Sequence, residues 1–286
     1  MIFGFTLETF FILAMIAFIA ECIDSSLGMG YGTLLSPILL IIGFSPLLAV
    51  PSILITQAIG GFSASIFHHK YGNTYFNIKS KNPSYILRKI KEYGIKESFQ
   101  RGFSDDLKTV IIITSLGIVA TIIAALVAVT VSKTVINTYI GILVLLMGFL
   151  IISGIRFQYS IRKMFFIGIV SSFNKGFSGG GFGPVVTGGQ MVIGQDHKKA
   201  IGCTTAAEAP ICVVGFLAYL LTNHLSNWGL VFALGSGAIF AGFIGPRITS
   251  RINKKNLLII VSLVMITLGA LTLAKTYGIL ALKVSI

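Results

Sequence analysis

The stretch Asp24–Gly32 reads D-S-S-L-G-M-G-Y-G, and the stretch Lys175–Gly183 reads K-G-F-S-G-G-G-F-G, 151 residues further along the chain. Both lie within long apolar sequence, where glycine clusters interrupt helices and a charged side chain is costly. We interpret them as two copies of one element, a broken membrane helix. We expect the rest of the chain to bring these two interruptions together near the middle of a membrane.

The composition indicates a membrane protein. Of the 286 residues, 55% are hydrophobic and 11% are charged, whereas soluble domains carry about 25% charged residues. Continuous Ile, Leu and Val runs replace the alternating pattern of a β-barrel, and their lengths predict an all-α integral membrane protein with about 8–10 membrane segments. The N-terminal run lacks a basic region and a clear cleavage site, so we expect a retained helix rather than a signal peptide.

The repeat extends beyond the glycine clusters without a gap. Ser36 matches Thr187 at the same offset, and Gln57 matches Glu208. The identical pairs are Gly28 with Gly179, Gly30 with Gly181, Gly32 with Gly183, Ile42 with Ile193, Gly43 with Gly194, Ala49 with Ala200 and Ala58 with Ala209. Such registered matches favour a duplication over similarity of composition, and we divide the chain into membrane repeats at 1–155 and 156–286.

Basic residues concentrate in loops, so the formal net charge of +13 indicates membrane orientation and contact with anionic lipid rather than nucleic-acid binding. The longest basic loop, residues 69–107, is expected on the cytoplasmic side of the plasma membrane. Its residues 86–99 fit either an amphipathic helix on the membrane surface or a solvated loop. Counting spans from this loop gives the two repeats inverted topology, as in many secondary transporters.

Four ionisable side chains fall at or near membrane depth, where each costs about 2.5–3.5 kcal/mol on insertion scales. They are Glu21, Asp24, Lys175 and Glu208. Asp24 and Lys175 occupy equivalent repeat positions, so one interpretation is that they pair with each other, or with backbone groups, and hold the two halves together. The other is that Lys175 attracts an anion, while Asp24 caps exposed backbone N–H groups or helps to couple ions.

Glycine clusters let backbone amides approach a ligand closely, and a helix that starts after such a break presents free N–H groups. Serine hydroxyls add donors suited to oxyanions. The alternative is that the glycines only allow tight helix crossing, as the pair Ala233 and Gly237 does. The predicted substrate-binding residues are Asp24, Ser25, Ser26, Gly28, Gly30, Gly32, Asn174, Lys175, Ser178, Gly179, Gly180, Gly181, Gly183, Thr204 and Thr205.

Glu208, with its neutral repeat partner Gln57, is the candidate coupling residue, because a membrane-buried carboxylate can carry a proton. It could equally cap backbone freed by Pro210. Neither the histidines nor the three cysteines show metal-ligand spacing, so we expect no metal, no cofactor and no catalytic constellation.

The motifs D-S-S-L-G-M-G-Y-G-T-L-L-S-P (24–37) and N-K-G-F-S-G-G-G-F-G-P (174–184) resemble those of the TauE/SafE family of sulfite and organosulfonate exporters. The resemblance implies a secondary transporter, not an enzyme, that exports a small sulfur-containing anion such as sulfite or sulfoacetate by alternating access. An anion channel stays an alternative, as does a membrane sulfur-donor or uptake protein that delivers a sulfur compound to a cytosolic partner through Cys203. The oligomeric state is open between monomer and homodimer.

Overall fold

A computed structural model describes residues 5–77, 102–154, 161–192, 195–222, 227–249 and 254–280. Within these ranges the chain forms ten α-helices. They are α1 (Leu7–Leu27), α2 (Tyr31–Ile42), α3 (Pro46–Lys70), α4 (Asp105–Ala128), α5 (Lys133–Ser153), α6 (Ile161–Ser178), α7 (Gly183–Val192), α8 (His197–Thr222), α9 (Trp228–Ile248) and α10 (Lys254–Thr276).

Seven of the described helices are long and apolar enough to cross a membrane, namely α1, α3, α4, α5, α8, α9 and the Leu258–Thr276 part of α10. Many of their large apolar side chains face outward, as lipid-facing surfaces require. The predicted all-α membrane class is therefore confirmed. The amphipathic helix considered at residues 86–99 lies outside the described residues.

The helices α2 and α7 are short, with 12 and 10 residues, and each follows a glycine break. The first break is shorter than the sequence suggested, because α1 continues through Asp24 to Leu27; in the second half, α6 likewise contains Lys175 and ends at Ser178. Serine hydroxyls bonded to the carbonyl four residues earlier are compatible with helix in these last turns. The charged residues therefore lie in helical turns rather than in the loops.

The helix contacts of the first half of the chain match those of the second half. The main neighbour of α1 is α9, and the main neighbour of α6 is α4. Likewise, α3 packs on α9 and α8 packs on α4, while α3 with α8 and α5 with α10 pack against each other. The same set of contacts results when each helix is exchanged with its counterpart, which is the arrangement that two related repeats would produce. The counterparts are α1 and α6, α3 and α8, α4 and α9, and α5 and α10.

Small residues allow the closest helix contacts. A Cβ on Gly237 of α9 would overlap the carbonyl oxygen of Ala14 on α1. In the pair α5–α10, a Cβ on Gly269 would lie 2.8 Å from the carbonyl oxygen of Gly141. These glycines, away from the two breaks, therefore serve helix packing, as small residues commonly do between membrane helices.

Hydrogen bonds join the ends of α1, α3 and α9 near the first break. His68 Nε2 of α3 lies 3.0 Å from the carbonyl oxygen of Ser25. Ser26 Oγ donates to the carbonyl oxygen of Gly245 on α9 at 3.1 Å, and Asn73 Nδ2 donates to that of Pro246 at 3.0 Å. These bonds fix the last turn of α1 against the facing ends of α3 and α9.

Candidate functional site

Both helix breaks begin with the same backbone geometry. The N–H of Gly28 donates to the carbonyl oxygen of Asp24 at 2.6 Å, and the N–H of Gly179 donates to that of Lys175 at 2.9 Å. Gly28 has φ 73° and Gly179 has φ 78°, a left-handed conformation that residues with a Cβ adopt only at a cost. The matched glycines of the repeat thus end α1 and α6 in the same way.

The two breaks lie in direct backbone contact. A Cβ added to Gly32 would overlap the carbonyl oxygen of Gly179, and a Cβ added to Gly183 would overlap that of Gly28. These two contacts are related by the repeat, because Gly32 corresponds to Gly183 and Gly28 to Gly179. Only glycine lets the two chain segments approach so closely.

Hydroxyl groups bind carbonyl oxygens across this crossing. Ser36 Oγ of α2 donates to the carbonyl oxygen of Ser178 at 2.6 Å. Thr187 Oγ1 of α7 donates to that of Gly28 at 2.9 Å. Ser36 and Thr187 are equivalent in the repeat, so each half supplies one donor to the break of the other half. Carbonyl groups freed from helix bonding are thereby satisfied without water.

A chain of polar contacts joins four side chains from the two halves, namely Asp24, Gln57, Lys175 and Glu208. Lys175 Nζ forms an ion pair with Glu208 Oε1 at 2.9 Å and also donates to Gln57 Oε1. Gln57 Nε2 lies 3.4 Å from Asp24 Oδ2. Asp24 Oδ1 in turn accepts from the N–H of Tyr31 at 3.1 Å, at the first residue of α2. All four side chains are buried.

The order of these contacts shows which groups Asp24 and Lys175 bind. They do not pair directly, since Gln57 lies between them and the recorded ion pair of Lys175 is with Glu208. Asp24 caps the N-terminus of α2, a backbone contact that both sequence interpretations of this residue include. Glu208 forms its ion pair with Lys175. Among the described residues, no hydrogen bond joins the Glu208 carboxylate to the backbone near Pro210.

The model of the protein family described as "Sulfite exporter TauE/SafE" matches residues 97–272. The chain belongs to this family. The resemblance seen in the glycine motifs is thereby confirmed, and the protein is a membrane transporter rather than an enzyme.

Two curated relatives of this TauE/SafE protein come from Bacillus subtilis (strain 168). The "Probable membrane transporter protein YtnM" is 24% identical over 279 residues, covering 92% of this chain and 82% of the relative. The "Probable membrane transporter protein YunE" is 24% identical over 282 residues, covering 91% of this chain and 96% of the relative. No solved structure matches the chain significantly.

Several other predicted site residues of the TauE/SafE protein bond to groups away from the central chain of polar contacts. Ser25 Oγ donates to the carbonyl oxygen of Glu21 at 2.6 Å, and Thr205 Oγ1 donates to that of Ile201 at 3.0 Å. Asn174 Oδ1 accepts from the hydroxyl of Tyr139 on α5. In this arrangement Ser25 and Thr205 bond within their own helices, and Asn174 joins α6 to α5.

Two further predicted residues lie at the crossing itself. Ser178 Oγ donates to the carbonyl oxygen of Asn174 at 2.7 Å and accepts from the N–H of Gly180 at 3.2 Å. Thr204 Oγ1 lies 2.9 Å from Thr187 Oγ1 and accepts from Gln190 Nε2 at 2.7 Å.

The sequence interpretation missed the part that Ser36, Thr187 and Gln190 play in the site. For Ser36 and Thr187 the signal was present, because they match at the repeat offset and lie one to two turns after the glycines. Gln190 gave no such signal, since its contact with Thr204 depends on how α7 packs on α8.

The thiol proposed for a sulfur-donor role lies near one end of α8. Cys203 Sγ is 3.7 Å from the carbonyl oxygen of Asp106 and 3.6 Å from Gln195 Nε2. Among the residues that the structure describes, no group of three or more His, Cys, Asp or Glu side chains could hold a metal ion.

Proposed function

We propose that this transporter exports a small sulfur-containing anion, sulfite or an organosulfonate such as sulfoacetate, across the plasma membrane by alternating access. The name of the family supports the class of anion. The observation that carries the proposal is the ammonium group of Lys175, which is buried beside the crossing of two broken helices. A buried cation at such a crossing is suited to an anion that passes through the protein.

The difference between the two halves points to the place of the anion. In the first half, the carboxylate of Asp24 binds the N-terminus of α2 through the N–H of Tyr31. Lys175 stands at the equivalent position of the second half, and an ammonium group cannot accept a hydrogen bond. We infer that the substrate anion takes the corresponding place in the second half, between Lys175 and the N-terminus of α7, where the helix dipole favours negative charge.

Glu208 would couple this binding to protons. In the present arrangement the carboxylate of Glu208 forms an ion pair with the ammonium group of Lys175, so an arriving anion competes with Glu208 for that group. Protonation of Glu208 would release Lys175 for the substrate. Gln57 also contacts Lys175, and it would keep the ammonium group oriented during the exchange.

The two halves, 1–155 and 156–286, would act as inverted repeats that expose the crossing alternately to each side. The exchange pattern of helix packing supports this assignment. The basic loop 69–107 would then face the cytoplasm. Among the other residues predicted from the sequence, Ser178, Gly180 and Thr204 would line the opened cavity, and their hydrogen bonds near the crossing support this role.

Flux of radiolabelled sulfoacetate into proteoliposomes tests the proposal. Lys175→Ala should abolish the flux, whereas Lys133→Ala, which removes an exposed lysine at the start of α5, should leave it unchanged. Lys175→Ala leaves the buried carboxylate of Glu208 without its partner. The double variant Lys175→Met/Glu208→Gln removes both charges and therefore provides a second test. Unchanged flux in either Lys175 variant would remove this residue from the mechanism.

The same vesicles test the coupling role and the alternatives. Glu208→Gln should flatten the dependence of sulfoacetate flux on pH, and a retained pH profile would exclude Glu208 as the proton carrier. Unitary currents across a planar bilayer would favour an anion channel over alternating access. Loss of transport in Cys203→Ser would favour a sulfur-donor protein.

A further inference from the structure

Glu21 is a second buried carboxyl group, one turn before Asp24 on α1. Its side chain is completely excluded from solvent. Neither carboxyl oxygen, Oε1 nor Oε2, has a hydrogen-bond partner among the described residues. Every other ionisable group in the cluster has a partner, since Lys175 pairs with Glu208 and Asp24 caps α2.

The carboxyl group of Glu21 packs against the backbone of α3 at Gly60. A Cβ on Gly60 would lie 2.7 Å from Glu21 Cδ and 3.0 Å from each carboxyl oxygen. Gly60 lies in the interior of α3, where backbone N–H and C=O groups are used within the helix. The helix therefore leaves room for the carboxyl group without offering it a donor.

The charged groups that act on Glu21 are Asp24 on its own helix, Glu208 on α8 and Lys175 on α6. The other titratable neighbours, Cys22 on α1, Cys212 on α8 and Tyr31 on α2, bring no positive charge. On α9, which packs along α1, the ionisable side chain is Arg247 near the last turn. On α3 they are His68, His69 and Lys70, at its end.

With all carboxyl groups ionised, three negative charges would therefore share one ammonium group. An ionised carboxylate without a partner in a protein interior is strongly unfavourable, and such groups take up a proton instead. Asp24 and Glu208 each have a donor, so the uncompensated group is Glu21.

We propose that Glu21 is a proton-binding site of the transport cycle, separate from the pair of Lys175 and Glu208. In this arrangement it is a carboxylic acid. When water reaches the site, the O–H bond of the Glu21 carboxyl group breaks, the proton passes to water and a carboxylate remains. The carboxylate takes up a proton again before the site closes. A proton fits the site better than a metal ion, because the described residues offer no group of acidic, His or Cys ligands that could hold one.

The role in the cycle depends on the proposed function, but the protonation of Glu21 does not, and infrared spectroscopy measures it directly. Purified protein in nanodiscs at neutral pH should show the carbonyl stretch of a buried carboxylic acid. Glu21→Gln should remove that band, whereas Glu8→Gln, at an exposed position of α1, should retain it. Absence of the band in the wild type, or its persistence in Glu21→Gln, overturns the proposal.

Folding of the variants provides a further criterion. A neutral acid can be replaced by a neutral group of similar size, so Glu21→Gln and Glu21→Met should both purify as folded protein. Failure of both variants to fold would show that the ionised form is required, and it would overturn the proposal.

The transport step is tested with sulfoacetate, which does not titrate near neutral pH and therefore does not itself alter the pH of the vesicle. Wild-type proteoliposomes should move protons with sulfoacetate, as reported by an enclosed pH-sensitive dye. Glu21→Gln should lower the number of protons moved per sulfoacetate, and Glu8→Gln should not. An unchanged ratio, or dependence of the flux on sodium in place of protons, overturns the coupling role. If the wild type moves no sulfoacetate, the proposed function fails while the infrared result still stands.

Discussion

The ion pair of Lys175 and Glu208 gives a sharp prediction about stability. Both side chains are buried and their charged atoms lie 2.9 Å apart. Removing one partner of such a pair typically costs about 3–5 kcal/mol, because the other charge is left buried and uncompensated. We therefore expect Lys175→Met to lower the free energy of unfolding by an amount in that range.

Glu208→Gln should cost less than Lys175→Met. The ammonium group of Lys175 keeps its contact with Gln57 and stays near Asp24, so the remaining charge is partly compensated. A hydrogen bond to a charged group contributes about 1.5–3 kcal/mol, which is the loss expected for this variant. The double variant Lys175→Met/Glu208→Gln removes both charges and should be more stable than Lys175→Met alone.

The measurement is a double-mutant cycle on the free energy of unfolding, obtained by titrating sodium dodecyl sulfate into mixed micelles. The two sites are in contact, so their effects should deviate from additivity by about 0.5–3 kcal/mol. Additive losses, with the double variant less stable than Lys175→Met, would refute the assigned ion pair. They would also remove the argument that Glu208 competes with a substrate anion for Lys175.

Two further predictions concern the crossing. Gly32→Ala would press a methyl group onto the carbonyl oxygen of Gly179, so it should destabilise the protein by about 1–3 kcal/mol or more. Gly188→Ala meets nothing within 4 Å and serves as the control; equal melting temperatures for the two variants would contradict the close approach. Thr187→Val leaves the carbonyl oxygen of Gly28 without its donor and should cost about 1–3 kcal/mol in the same unfolding titration. Thr187→Ser retains the hydroxyl, so equal losses in the two Thr187 variants would exclude the hydrogen bond.

Much of the crossing was predictable because the repeat carries positional information. The fixed offset assigned Asp24 and Lys175 to equivalent turns, and Gln57 and Glu208 to equivalent positions on the two long helices that follow the breaks. Since those helices, α3 and α8, pack against each other, the four side chains come within reach. The sequence therefore singled out these four residues, but it did not predict which of them pair.

The hydroxyl residues show what sequence spacing leaves open. Ser25, Ser178 and Thr205 are predicted to bind an anion, and in this structure each donates to the carbonyl oxygen four residues earlier in its own helix. In apolar surroundings without water, that carbonyl is the nearest acceptor for a helical Ser or Thr hydroxyl. Sequence spacing identifies the residue type but not the rotamer, so the direction of these hydroxyls required coordinates.

Under the proposed function, the excess of carboxyl groups would link proton binding to anion binding. With Glu21, Asp24 and Glu208 all ionised, the cluster around Lys175 would repel the substrate that we assign to it. Each proton bound by Glu21 or Glu208 removes one of these negative charges and strengthens anion binding. The coupling must be reciprocal, because an anion that binds better to the protonated protein also raises the affinity of the protein for protons. The equivalent positions of the two breaks thus differ in charge, with a carboxylate at position 24 and an ammonium group at position 175.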